Sequence, residues 1–390
     1  MKLLQNLFYL VLITSIVFAS GQVKAQITKG SGPDTAARGH ILSALNNYIT
    51  GSSFNSPEQI KNAFHPEARL ILQNDSKSFW SVEVNEYTSW FKNRKQGRPN
   101  GRIGEVLSID VEGKVATAKV EILLPAKQRR YVDMFLLKEI DGQWQIISKT
   151  AGVESSVQNG ERILFIVSNA HFHGELERPA GASFSELVSA YHTFKINGYT
   201  VDFVSPEGGA VPLAYINTSN ELHKQYLYDE DFMYALKYTK RPEQVLPENY
   251  KAVHYIGGSN AMYGVAENEA IQAISMEIYE KHQGIISSVC HGTAGIVHLK
   301  NQDGSYLVSG KRISGYPDEW ENPNAAYYQQ FPFQIEKIIE RRNGDFRYGK
   351  KNTSYVEVDG RVITGQNFQS SEAVALKIIE QLQAAGNLAP

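Results

Sequence analysis

From residue 161 onward the chain alternates between two periodicities, and nothing else in it constrains the fold as tightly. ERILFIVSN (161–169), YTVDFVSPEGG (199–209), KAVHYIGG (251–258) and GIISSVC (284–290) are short, nearly continuous apolar runs. Amphipathic helical stretches lie among them, SFSELVSAYHTFKING (183–198) and ENEAIQAISMEIYEKHQ (267–283). A strand that is apolar on both sides has to be covered on both sides, and strands linked through helices run parallel. The expectation is a doubly wound α/β domain over 161–387 with a mostly parallel sheet. Its site would lie at the carboxyl ends of the strands.

Before residue 152 the pattern differs. AARGHILSALNNYIT (36–50) has apolar residues at helical spacing, and Ser56-Pro57-Glu58-Gln59 opens a second, short helix with a serine cap and proline at its first position. From about residue 102 the signal turns to alternation broken by Glu-Gly and Asp-Gly turns, in GEVLSIDVEG, KVATAKVEILL, RRYVDMFLLKEIDG and QWQIISKTA. Helices followed by a meander predict an α+β cone, a curved antiparallel sheet wrapped by helices, over 30–151. The polar, glycine-containing stretch 152–160 reads as the linker between two domains.

Residues 1–25 read as a signal peptide: Lys2, an apolar run from Leu7 to Ala19, and Val23-Lys24-Ala25 as a small-residue cleavage site. The run is too short for a membrane span, and no other stretch approaches the roughly 18 apolar residues one needs. The expected location is therefore exported, periplasmic or secreted, with no membrane attachment after cleavage. With 39 basic and 41 acidic residues and no basic block, the chain gives no sign of a nucleic-acid partner. No nucleotide or flavin fingerprint is present, since Gly257-Gly258 and Gly208-Gly209 are too short for one, and no cofactor is expected.

The chain has one cysteine, Cys290, so it forms no internal disulfide. GIISSVC runs straight into HGTAGIVHL, which reads as a helix with no intervening loop. A strand-to-helix turn that sharp pushes its central residue out of the sheet, as in a nucleophile elbow. A helix N-terminus beside the sulfur and the adjacent His291 would favour thiolate. Glu186, on the first helix of the same domain, belongs to the same rim although 104 positions away. Gly257-Gly258 end a strand and leave backbone N–H groups facing that rim. His171 and His173 in NAHFHGELE alternate in the His-x-His spacing of a zinc pair, without a third and fourth ligand; residues lining a substrate pocket are the other reading. His65, in Phe64-His65-Pro66, reads as a histidine fixed at a helix end.

Two resemblances follow from these motifs. AFHPEARLIL (63–72), SIDVEGKVATAKVEI (108–122) and YVDMFLLKEIDGQWQIISK (131–149) resemble the lumazine-binding-like, SnoaL-type branch of the nuclear-transport-factor-two-like fold. That resemblance implies a pocket inside the sheet or a dimerisation role. HYIGGSNAMYG, SSVCHGTAGI, LVSGKRISGYPDEWE, FPFQIEKII and DGRVITGQNFQSS, together with 185–212, resemble the ThiJ/PfpI superfamily of the class I glutamine amidotransferase-like, flavodoxin-like fold, in its chaperone and glyoxalase III branch. Carried over by motif, the resemblance makes Cys290 the nucleophile, His291 its neighbouring histidine and Glu186 the glutamate that hydrogen-bonds the cysteine. Glu321 takes the place of the acid that orients the histidine, with Asp318 as the alternative, and the N–H groups of Gly258 and His291 are the oxyanion donors. The chain departs from the pattern at Ser259-Asn260, where His-Gly is frequent, and at Ala190-Tyr191, Leu213-Ala214 and Asn367-Phe368.

The implied function is a cysteine-dependent enzyme attacking a small-molecule carbonyl or peptide-like substrate. It would be either glyoxalase III-like, turning a 2-oxoaldehyde into a 2-hydroxy acid without glutathione, or amidase- or peptidase-like. The alternatives are a non-catalytic redox sensor or stress-protective protein whose N-terminal module binds a ligand or partner, and a holdase chaperone. Both folds imply a homodimer.

Overall fold

The computed structural model describes residues 33–74 and 76–386. The signal-peptide reading of 1–25 lies outside the described residues. Among the described residues no helix is long and apolar enough to cross a membrane.

The first domain opens with α1 (Pro33–Ser53) and α2 (Pro57–Ala63), the latter capped by Ser56, whose side chain accepts from the Gln59 N–H. Strands β1 (Phe64–Asn74) and β2 (Lys77–Glu83) follow, then α3 (Val84–Ser89) and the meander β3 (Ile103–Glu112), β4 (Val115–Leu124), β5 (Arg129–Ile140) and β6 (Gln143–Ser155). The sheet order is β2-β1-β6-β5-β4-β3, antiparallel throughout except that β1 lies parallel to β6. The helices close its concave side, where Leu45 and Tyr48 of α1 are fully buried with Ile60, Val120, Phe135 and Ile146. His65 stands at the junction of α2 and β1, its Nδ1 accepting from the Glu67 N–H. The linker is shorter than its polarity suggests. β6 continues to Ser155, with Val153 opposite Tyr131 and Ser155 opposite Arg129, so the connection begins at residue 156, not 152. Backbone pairing with β5 outweighs the polar composition there.

In the second domain the sheet order is Val356–Asp359, Val362–Gly365, Ile285–Val289, Tyr250–Tyr255, Arg162–Ile166 and Thr200–Val204. All pairings are parallel but the first, a hairpin at the edge. Alternate residues of these strands feed two cores. Leu164, Val253 and Ile286 face Ile271, Ile278 and Ile296, while Ile163, Phe165 and Ile285 face Leu187, Phe194, Val374 and Ile378. Each such side chain contributes about 1.5–3 kcal/mol of burial, which fixes the strand ends that carry the site.

The domains are joined by an ion cluster. Arg162 donates to both carboxylate oxygens of Asp202 (2.9 and 2.6 Å) and to Glu105 of β3 (2.8 Å). Lys240 and the Tyr250 hydroxyl also reach Asp202, at 3.1 and 2.6 Å. Lys119 pairs with Asp231 at 2.8 Å, and the Ile109 N–H donates to the Tyr234 hydroxyl.

Candidate active site

Four segments meet at the carboxyl end of the sheet. Cys290 follows the fully buried strand Ile285–Val289 directly and adopts φ +57°, the left-handed region that a side-chain-bearing residue enters only when its surroundings impose it. The imposition is visible. A Cβ on Gly292 would lie 2.4 Å from the Tyr255 carbonyl oxygen, so the chain after the cysteine is pressed flat against the neighbouring strand. Residues 290–296 form a 3-10 turn, not the α-helix their sequence suggests.

Glu186 sits in the first turn of the helix Phe184–Ile196, capped by Ser183, and is 1% exposed. Its Oε2 accepts from the Gly257 N–H at 2.8 Å. A Cβ on Gly257 would lie 2.5 Å from that oxygen and 3.0 Å from the Cys290 Cβ, so only glycine lets carboxyl and thiol approach. Burial pushes the Glu186 carboxyl up to about 8, against the hydrogen bonds from Gly257 and Cys290. Burial also pushes the Cys290 thiol up, with the Glu186 charge adding to it and the His291 N–H opposing it. That is the opposite direction from the lowering a helix N-terminus would give. In so enclosed a place, the cost of desolvating a thiolate exceeds what one short turn returns.

His291 is next to the sulfur, with Nδ1 3.5 Å from Sγ. Its Nε2 is 2.7 Å from Glu321 Oε1, and Glu321 Oε2 accepts from the Tyr327 hydroxyl at 2.8 Å. Burial raises the Glu321 carboxyl, but the His291 and Tyr327 hydrogen bonds outweigh it and hold it below its ordinary value. An ionised Glu321 takes the Nε2 proton as its partner and leaves the Nδ1 lone pair turned to the sulfur. Asp318, the alternative acid, does not reach His291. The 3-10 turn Asp318–Trp320 carries it to Glu336, whose carboxylate accepts from the Asp318 N–H.

A cavity of about 680 Å³ opens over these groups. Gly258 (φ +103°) and Ser259 form one wall. His173 forms another, 5% exposed, with Nε2 3.2 Å from Ser259 Oγ and its ring tilted 5.3 Å from Tyr327. His171 is exposed and turned to the Asn169 carbonyl. The zinc-pair reading therefore fails on geometry: the exposed His171 turns to the Asn169 carbonyl, whereas the buried His173 turns to Ser259. Among the described residues no group of three His, Cys, Asp or Glu side chains could hold a metal ion.

Three tyrosines complete the site without having been singled out in the sequence. Tyr316 stacks on His291, with centroids 4.6 Å apart at 22°. Tyr327 anchors Glu321. Tyr215, at φ +58°, hydrogen-bonds Ser259 near the cysteine. Tyr215 and Tyr316 come from loops and Tyr327 from the four-residue helix Ala326–Gln329, too short for any periodicity to mark it.

Comparison with known proteins agrees with the two-domain fold. Residues 179–381 match the model of the DJ-1/PfpI family, and residues 36–150 match a lumazine-binding family model. A glutathione-independent glyoxalase of Schizosaccharomyces pombe is 24% identical over 247 residues, covering 58% of this chain and 100% of the relative. A glutathione-independent glyoxalase of Saccharomyces cerevisiae is 27% identical over 220 residues, covering 51% and 87%. Among solved structures, glyoxalase III from Candida albicans shares the fold of the second domain, with TM-score 0.51, 21% identity, and 56% and 96% of the two chains covered. The Rapid Encystment Protein of Francisella tularensis does so with TM-score 0.54, 24% identity, and 57% and 99% covered. Two domains, one an antiparallel sheet wrapped by helices and one a mostly parallel α/β sheet carrying Cys290 at its elbow, thus make up a chain that belongs to the DJ-1/PfpI family.

Proposed function

We propose that the second domain is a glutathione-independent glyoxalase that converts a 2-oxoaldehyde and water into a 2-hydroxy acid with Cys290 as nucleophile. The observation that carries this is the unbroken contact from Cys290 Sγ through His291 to Glu321, under a cavity large enough for a small carbonyl compound. The named activity of the yeast relatives supports the substrate class.

His291 Nδ1 takes the thiol proton while sulfur bonds to the aldehyde carbon, and the proton passes to the carbonyl oxygen to give a hemithioacetal. Nδ1 next removes the hydrogen of that carbon, the electron pair moves into the C1–C2 bond, and the π pair of the C2 carbonyl moves to its oxygen and takes the proton from Nδ1 to form an enediol. Reprotonation at C2 with loss of the C1 hydroxyl proton leaves a thioester. Water then displaces sulfur and returns the thiol. The aldehyde carbon is oxidised and the ketone carbon reduced by the same amount, so the sequence needs no external oxidant or reductant. Glu186, protonated below about pH 8, is a hydrogen-bond donor to the sulfur as it becomes negative. The N–H groups of Gly258 and His291 are the donors for the oxygen at the reacting carbon.

The test is consumption of methylglyoxal and formation of lactate by the full chain without glutathione, for wild type and Cys290→Ala. The expected result is turnover by the wild type and loss of at least about 10³-fold in the variant. Lactate formation that persists in Cys290→Ala, or that requires added glutathione, refutes the proposal.

A further inference from the structure

The first domain encloses a cavity of about 350 Å³ that shares no lining residue with the one over Cys290. Its volume lies within the roughly 300–1,000 Å³ of small-molecule sites. The interior carries charge that the protein does not fully match. Lys149 is paired with Asp133 at 2.7 Å, both nearly inaccessible, and the Tyr48 hydroxyl donates to the other Asp133 oxygen at 2.6 Å. Both oxygens of the one lining carboxylate are thereby engaged. Arg102 lines the same cavity, and its Nε is buried without an acceptor among the described residues. Burial works against its charge, and the nearby tyrosines and Asp133 sustain it, so the guanidinium stays ionised. The other charged lining groups, Arg94 and Lys127, are also basic. A buried guanidinium lacking a hydrogen-bonded anion is unfavourable on its own and becomes favourable when a bidentate acceptor arrives.

The walls indicate the rest of that acceptor. Trp80 and Trp90 are stacked with centroids 5.5 Å apart, and Tyr87 meets Trp90 edge-on at 5.2 Å. Flat apolar faces beside an unmatched cation select a flat molecule with an anionic end. The geometry points to the first domain as a binding site for a small planar aromatic carboxylate, its carboxylate on Arg102 and its ring against Trp80, Trp90 and Tyr87.

Calorimetric titration of the full chain with 2-naphthoate and with its uncharged carboxamide tests this. The expected result is one saturable naphthoate site per chain, with the carboxamide at least about tenfold weaker. Arg102→Gln should weaken naphthoate at least about tenfold and leave the carboxamide unchanged, while Cys290→Ala alters neither. Ligand-free Arg102→Gln should melt at or above the wild-type temperature, which a structural role for the guanidinium would reverse. Trp90→Ala, at a half-exposed wall position, should weaken both ligands and serves as the second variant if Arg102→Gln misfolds. Equal binding of acid and amide, no saturation at about millimolar naphthoate, or loss of binding in Cys290→Ala alone overturns the proposal.

Discussion

Glu186→Gln separates the charge of this carboxyl from its shape. In the folded chain burial holds the carboxyl up to about 8, whereas in the unfolded chain it titrates near 4.5. Between those pH values the folded state keeps a proton that the unfolded state has released. The Glu186 contribution to wild-type stability therefore falls by about 1.4 kcal/mol for each pH unit from about 4.5 to about 8, and is level outside that window. Glutamine has no such proton, yet its carbonyl oxygen can still accept from the Gly257 N–H and its amide can still donate toward the sulfur. The variant should match the wild type near pH 4.5 and exceed it by about 3 kcal/mol at pH 7. The assay is urea denaturation of both proteins at intervals from pH 4.5 to 9, read as the difference in unfolding free energy. The same substitution bears on catalysis. Turnover of methylglyoxal by the wild type should decline above about pH 8, where Glu186 ionises and turns from donor to repelling charge, and that decline should be absent from the variant. A stability difference that does not vary with pH, or a variant less stable at pH 7, would refute the account of Glu186 as a neutral acid.

Glu321→Gln should lower kcat by about 10²–10⁴ with little change in KM, because His291 loses the partner that turns its Nδ1 lone pair to the sulfur. Tyr327→Phe, which removes one hydrogen bond from that carboxylate, should cost no more than about tenfold; a Tyr327 effect equal to that of Glu321 would contradict the order. Asp202→Asn should destabilise the chain by about 3 kcal/mol in urea, since it leaves Arg162 and Lys240 with Glu105 alone as an anionic partner at the domain junction. Burial alone would raise the Asp202 carboxyl, but Arg162 and then Lys240 hold it well below the usual carboxylate range. Its contribution is complete above about pH 4 and is lost as the pH falls further, so the variant should lack that part of the acid transition.

The residues that were legible in the sequence share a property: their positions are set by regular structure. Val289 ends a strand, so Cys290 and His291 had to stand at the rim, and Glu186 had to lie in the first turn of the helix that follows the strand Arg162–Ile166 of the same sheet. Glu321 was placed ahead of Asp318 by the family resemblance alone, not by spacing or composition. Both lie in one short loop, and the 3-10 turn that directs only the second to His291 has no compositional mark. Tyr215, Tyr316 and Tyr327 were missed for the same reason. The direction of the thiol shift was misread because a helix N-terminus is visible in a sequence, while the depth of burial that opposes it is not. In the first domain the meander was plain from its alternation. Arg102, Asp133 and Lys149, however, come from three separate segments, and only the curvature of the sheet brings them to one cavity.

The arrangement at Cys290 opposes folding at several points that the chain could easily have avoided. A left-handed residue with a side chain costs about 1–3 kcal/mol, and the buried Glu186 costs about 3 kcal/mol more at pH 7. A glycine at 290 would relieve the first and a glutamine at 186 the second, each by one substitution. Neither feature helps the sheet, whose strands are held by the cores on both sides without them. Unfavourable terms concentrated on a cysteine and the carboxyl next to it, in the wall of a cavity, are what a working site requires and a merely packed strand end does not. The reading therefore makes a joint demand: substitutions that relax the elbow should raise stability and lower turnover together. A variant at 290 or 186 that loses both would mean that the two residues serve the fold.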